Sequence, residues 1–228
     1  MEQNNQIVAV VPAAGVGSRM QASRPKQYLK IDDKTILEHS VYRLLAHERV
    51  AKVVVVIGAE DSYFAKTSLA NHQDIVITLG GKERADSVLA GLQAAQSEWV
   101  MVHDAARPCV RLSDINRLID TAMNATDGAI LAIPARDTIK QADTDGIVAT
   151  IDRNHIWQAM TPQMFKREQL MCAMQQAQQQ NLLVTDEASA IELMGGKPKL
   201  VAAHSSNIKV TLPEDLALAA FLLTQNEE

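Results

Sequence analysis

Arg19, Arg24 and Lys26 lie within eight residues of one another, just after Gly15 and Gly17, in a chain whose net charge is −5. Cations gathered at one point of an acidic chain suit a small anionic ligand. A polynucleotide binder carries a run or stripe of Lys and Arg, and none is present. The stretch reads VPAAGVGSRMQASRPKQYL and follows the apolar run IVAVV at 7–11. Small residues at Ala13, Ala14, Gly15 and Gly17 let backbone N–H groups approach a phosphate or base, and Arg19 and Lys26 add two cations. A dinucleotide fingerprint is excluded, because Met20 occupies the third glycine position and the acidic residue expected about 20 residues on would fall within a helix. A Walker A loop is excluded by the absence of Gly-Lys-Ser/Thr. A mobile surface loop would explain one Gly-x-Gly, but the strand before it and the Arg and Pro25-Lys26 after it favour a phosphate site.

Asp104 ends the run WVMVHD and could approach a metal or a substrate hydroxyl; pairing with Arg107 to shape the loop is the competing role. His103 beside it reads as buried and structural, since a phosphate nucleophile is already ionised at neutral pH. The six His lack H-x-x-x-H or H-E-x-x-H spacing, so no zinc site is expected. DTDG at 143–146 lacks the later ligands of a calcium loop and reads as a turn.

These residues need a frame. Apolar strands are predicted at 7–11, 52–58, 75–79, 99–103 and 128–134, with a further strand near 199–203. Amphipathic helices alternate with them: 35–47 with Thr35 and Glu38 as a capping box, 87–95, 112–123 capped by Ser113, 167–178 and 186–194. A last helix carries Pro213 in its first turn, with Thr211 and Glu214 as its capping box. This order predicts an α/β fold whose mainly parallel sheet is flanked by helices. The loops after 11, 79, 103 and 134 should then face one another at the carboxyl ends of the strands. Residues 136–152 alternate polar and apolar about Asp145-Gly146, a β-hairpin that either packs on its own domain or projects as an arm to a second subunit.

Composition agrees with one large or two small globular domains: 228 residues, 47% hydrophobic and 21% charged. No apolar run is long enough to cross a bilayer, and MEQNNQ is no export signal, so a cytoplasmic protein without membrane or nucleic-acid partners is expected. Cys109 and Cys172 form no C-x-x-C pair and are expected as thiols.

VVPAAGVGSRM…PKQYL resembles the signature of nucleotidyltransferases that join a nucleoside triphosphate to a sugar or polyol phosphate. GGKERADSVLAGL, VHDAARPCV, RDTIK, DRNHIWQAMTPQMF, TDEASAIE and NIKVTLPEDL narrow the resemblance to the stand-alone 2-C-methyl-D-erythritol 4-phosphate cytidylyltransferases of the non-mevalonate isoprenoid pathway. The motifs run in order along nearly the whole chain. The resemblance implies a Rossmann-like nucleotidyltransferase fold in a single domain over 1–228, with a dimerisation arm at about 135–155. It implies transfer of the cytidylyl group of CTP to methylerythritol phosphate with release of pyrophosphate, dependent on Mg2+ held mainly by the CTP phosphates, with Asp104 as a metal ligand. It assigns catalysis to Arg19 and Lys26, and nucleotide binding to Pro12, Ala13, Ala14, Gly15, Gly17, Gly81, Arg84 and Ser87. Methylerythritol phosphate falls to Arg153, Lys209, Thr138, Thr185, Asp104 and Arg107. Arg153 is expected to complete the site of the partner in a homodimer. Lys82 departs from the acidic residue some members carry at that position. Two alternatives stay open: the same chemistry on ribitol 5-phosphate or another polyol or sugar phosphate, and a regulatory nucleotide-binding module without catalysis.

Overall fold

The computed structural model describes residues 6–15 and 24–225. Gly17 and Arg19 lie outside the described residues. Within them the order is β1 (Ile7–Pro12), β2 (Lys30–Ile31), β3 (Lys34–Thr35), α1 (Ile36–Leu45), β4 (Val50–Ile57), β5 (Ile75–Leu79), α2 (Arg84–Ala94), β6 (Trp99–Val102) and α3 (Leu112–Met123). There follow β7 (Ala129–Pro134), β8 (Ile139–Asp143), β9 (Gly146–Ile151), β10 (Trp157–Lys166), α4 (Arg167–Gln179), α5 (Glu187–Leu193), β11 (Lys199–Ala202) and α6 (Pro213–Thr224).

The described residues build a seven-stranded sheet in the order β11-β7-β10-β6-β1-β4-β5. Neighbouring pairs are parallel except those of β10, which runs antiparallel to both β6 and β7. The sheet is therefore mainly parallel, as the alternation of elements predicts, but mixed. Nothing in the sequence pattern marked β10, because WQAMTPQMFK carries a proline and its register breaks between Ala159 and Gln163.

Each strand feeds two cores, since successive side chains point to opposite faces. Ile7, Ala9 and Val11 pack with Leu37, Val41 and Leu44 of α1 and Ile115, Leu118 and Ile119 of α3. Val8 and Val10 pack with Val88 and Leu92 of α2 and with Leu170 and Met174 of α4. Cys109, which is buried, and Cys172, which is exposed, form no disulfide.

Two capping expectations shift, by two residues at α3 and by one at α6. Thr35 and Glu38 do form the box at α1: Thr35 Oγ1 accepts from the Glu38 N–H, and Glu38 Oε2 accepts from the Thr35 N–H. Ser113, however, sits inside α3, because the last extended residue is Arg111. At α6 the capping acid is Asp215, not Glu214. Its carboxylate accepts from the N–H groups of Thr211 and Leu212, and Leu212 occupies the cap position. The hairpin forms as β8 paired antiparallel to β9. Its turn is closed by Asp143 Oδ1, which accepts from the N–H groups of Asp145 and Gly146, with Gly146 at φ +140°. Residues 140–148 are all exposed.

Candidate active site

Parallel strands deliver their carboxyl ends to one rim, and the loops that leave β1, β5 and β6 meet there. Ala13 N donates to Val56 O at 2.8 Å, Gly80 N to Ile57 O at 2.8 Å, and His103 N to Val10 O at 2.9 Å, so each loop departs from a fixed rung of the sheet. Between them opens a cleft of about 370 Å³. Pro12, Ala13, Ala14, Gly15, Gly81, Arg84 and Ser87 line it, together with Lys26, Asp104 and Lys209. Thr138, Arg153 and Thr185 do not, and all three are exposed; the loop after 134 leaves the same rim, since β6 and β7 both run antiparallel to β10, but it does not reach this lining. The reason is strand order: β10 and β6 separate β7 from β1.

Local structure explains the small residues. A Cβ on Gly81 would collide with the Asp86 side chain, whose Oδ2 accepts from the Glu83 N–H at 3.1 Å as α2 begins. A Cβ on Gly80 would lie 2.9 Å from Ala14 Cβ. The helix starts at Arg84, three residues before its expected start, and Ser87 lies within it, donating to Glu83 O at 3.2 Å. Across the cleft, Gln27 is buried and donates through Nε2 to Ala13 O at 2.7 Å and Gly15 O at 2.9 Å. Both partners are carbonyls, so the amide orientation is fixed by chemistry. Sequence reasoning passed over Gln27, although it follows Lys26 in the motif. Lys26 Nζ donates to Val210 O at 2.9 Å, which brings it beside the Lys209 segment. That segment is itself held to the β6 loop, because Val210 N donates to Ala106 O at 2.8 Å.

Asp104 is the electrostatic centre. Lys209 Nζ lies 2.7 Å from its Oδ2, and Arg84 donates to its Oδ1 from Nε at 3.2 Å and Nη2 at 3.1 Å. Arg107 Nε stands farther off, 3.8 Å from Oδ2, and its Nη1 donates to Asn207 O at 2.7 Å. Burial alone would raise the Asp104 carboxyl, but Arg84, Lys209 and Arg107 outweigh it and hold it well below the usual carboxylate range. Asp104 thus lines the cleft and also pairs with the cations around it, Arg107 being the most distant of them. Arg84 also donates to Glu187 Oε1 at 2.7 Å, a contact that no sequence motif announced. His103 is fully buried between Arg107 O, 3.0 Å from Nε2, and Thr161 Oγ1, 3.1 Å from Nδ1. A carbonyl only accepts, so Nε2 carries the proton and Nδ1 accepts from Thr161. Burial pushes this imidazole down to about 4, as a structural, neutral histidine requires. Among the described residues, no three His, Cys, Asp or Glu converge as a metal cage, and no helix is long and apolar enough to cross a membrane.

A small-residue cleft at the carboxyl ends of parallel strands, ringed by lysines and an arginine, suits a phosphate-bearing ligand of an α/β protein, and the motifs that resemble nucleotidyltransferases converge on it. The comparisons narrow it. The profile of the family described as 2-C-methyl-D-erythritol 4-phosphate cytidylyltransferase (IspD) matches residues 7–225. A curated relative of that name from Tolumonas auensis is 57% identical over 220 residues, covering 96% of this chain and 97% of its own. One from Escherichia coli is 54% identical over 222 residues, covering 96% and 94%. The crystal structure of the Francisella tularensis 2-C-methyl-D-erythritol 4-phosphate cytidylyltransferase superposes with a TM-score of 0.82 at 35% identity, over 95% of this chain and 99% of that one. The chain belongs to the 2-C-methyl-D-erythritol 4-phosphate cytidylyltransferase family.

Proposed function

We propose that the protein transfers the cytidylyl group of CTP to 2-C-methyl-D-erythritol 4-phosphate, giving 4-diphosphocytidyl-2-C-methyl-D-erythritol and pyrophosphate. One acceptor phosphate oxygen forms a bond to the α-phosphorus, and the bond from that phosphorus to the pyrophosphate oxygen breaks in line with it. Both reactants are anions, so the chain's task is to position them and neutralise charge. No general base is needed, which accords with a neutral, buried His103.

The observation that carries this reading is the meeting of the glycine loop, Lys26, Asp104 and Lys209 in one cleft. Pro12, Ala13, Ala14, Gly15 and Gly17 admit the triphosphate, while Gly81 and Ser87 form a small pocket that takes a cytosine and excludes a purine by size. Lys26, with Arg19, stabilises the charge that builds at the α-phosphate. Lys209, Asp104 and Arg107 receive the acceptor, with Thr138, Thr185 and Arg153 completing its site. Arg153 is exposed at the base of the hairpin, and its Nη1 donates to Arg136 O. Exposed Ile147 and Val148 suit an arm that packs on a second copy, so Arg153 acts in the partner's site of a homodimer. Each chain of that dimer is one domain over 1–228, and the enzyme works in the cytoplasm. A donor set with two cleft carboxylates, Glu83 and Asp104, and no cage among the described residues fits a magnesium ion carried on the triphosphate, with Asp104 as the carboxylate able to hold it. When bound, that ion screens phosphate repulsion. Pyrophosphate release with CTP, methylerythritol phosphate and Mg2+ is the test: turnover is expected, whereas release at background would favour a nucleotide-binding module.

A further inference from the structure

Glu187 opens α5 and is fully buried. A carboxylate in that position is costly unless it is paired and held. Arg84 supplies the pair, donating from Nη1 to Oε1 at 2.7 Å and from Nη2 to Oε2 at 3.3 Å. The same guanidinium donates twice more to Asp104 Oδ1, and Asp104 Oδ2 receives Lys209. A continuous chain, Glu187–Arg84–Asp104–Lys209, thus runs from α5 through α2 and the β6 loop to the segment before α6. Four donor contacts of Arg84 go to the two carboxylates, out of the five N–H groups a guanidinium owns. Its geometry is that of a bracket between carboxylates, with little left to offer a base.

Both ends of the bracket are referenced to one strand. Gln163 of β10 donates to Asp186 Oδ2 at 2.8 Å and accepts from Ala188 N at 2.9 Å, which fixes the start of α5. Two residues earlier on β10, Thr161 Oγ1 accepts from the Asp104 N–H at 3.0 Å. Glu187 and Asp104 are therefore held at a set separation, and Arg84 spans it.

We propose that Glu187 is a positioning residue for the acceptor: by clamping Arg84 against Asp104, it fixes the carboxylate that aims Lys209. The proposal rests on the acceptor role of Lys209 given above. It predicts an effect confined to one substrate and transmitted through one lysine, which a merely structural carboxylate would not produce.

The experiment is a double-mutant cycle on the full-length enzyme with E187Q, K209Q and the pair, reading kcat/KM for methylerythritol phosphate and KM for CTP. E187Q should lower kcat/KM for the acceptor by about tenfold, and by less than about twofold once Lys209 is already replaced, a coupling within the range for residues of one network. KM for CTP should change by less than about twofold with E187Q, because that variant leaves the ground-state nucleotide contacts in place. Equal E187Q losses with and without Lys209, or losses shared equally by CTP and acceptor, would overturn the proposal. If K209Q itself leaves acceptor kinetics intact, the acceptor reading fails and the proposal falls with it. Should E187Q not fold, R84Q/E187Q replaces the ion pair by two neutral amides. Acceptor kcat/KM should stay depressed there, and a wild-type value would refute the clamp.

Discussion

Lys26 and Lys209 occupy the same cleft, yet they have different tasks. Lys26 reaches Val210 O and lies near the glycine loop, whereas Lys209 is already engaged by Asp104. K26A should therefore lower kcat by ~10²-fold or more, as loss of a transition-state donor does, with a smaller change in KM for CTP. A surviving kcat with a raised KM would make Lys26 a binding residue. His103 gives a prediction of a different kind. Its folded imidazole is pushed by burial to about 4, below the ordinary 6.5. Between those values the unfolded chain binds a proton that the folded chain does not, so stability falls as pH drops through that window. The slope from one such group is at most about 1.4 kcal/mol per pH unit. Urea midpoints of H103Q between pH 7 and 4 should decline less steeply than those of the wild type; parallel curves would exclude His103 as the source. Much at this scale was legible in the sequence. Lys26, Asp104 and Lys209 were assigned roles within their motifs, whereas Gln27 and Glu187, which stand in motifs too, were not: residue type does not reveal that Gln27 donates to the carbonyls of Ala13 and Gly15, or that Glu187 meets an Arg84 that is 103 residues away.

Helix α2 shows what elements contribute. Gly91 faces β1, and a Cβ there would meet Val10 Cγ1 and come within 2.9 Å of Val56 Cγ2. Alanine would gain about 1 kcal/mol in helix propensity, but overpacking a filled core costs ~1–3 kcal/mol. G91A should thus be destabilised by about 1 kcal/mol in chemical denaturation, and a stabilised variant would contradict this packing. Because α2 carries Ser87 to the proposed cytosine pocket and Arg84 to the clamp on Asp104, the same change should raise KM for both CTP and the acceptor. The alternation of strands and helices was readable because buried parallel strands are uniformly apolar. β10 was not, since its core-facing and exposed residues mix with Gln158, Thr161, Pro162 and Gln163. The two shifted caps have a common origin: Ser113 and Glu214 are each one residue from where the backbone turns helical, and sequence pattern does not resolve that step.

At the scale of the whole molecule, the proposed active unit is two chains. The hairpin of β8 and β9 exposes Ile147 and Val148, and two strands alone are marginal in water. I147D/V148D should shift the sedimentation coefficient to that of a monomer and abolish transfer, while leaving the isolated fold intact by circular dichroism. If Arg153 serves the partner's site, mixing R153A with K26A after verified subunit exchange should restore part of the activity that each lacks alone. No rescue would confine Arg153 to its own chain. The central claim is which phosphate attacks CTP, and one comparison addresses it directly: pyrophosphate release under saturating CTP and Mg2+, with methylerythritol phosphate and ribitol 5-phosphate supplied separately. A clear preference in kcat/KM for methylerythritol phosphate is expected; a preference for ribitol 5-phosphate would contradict the account.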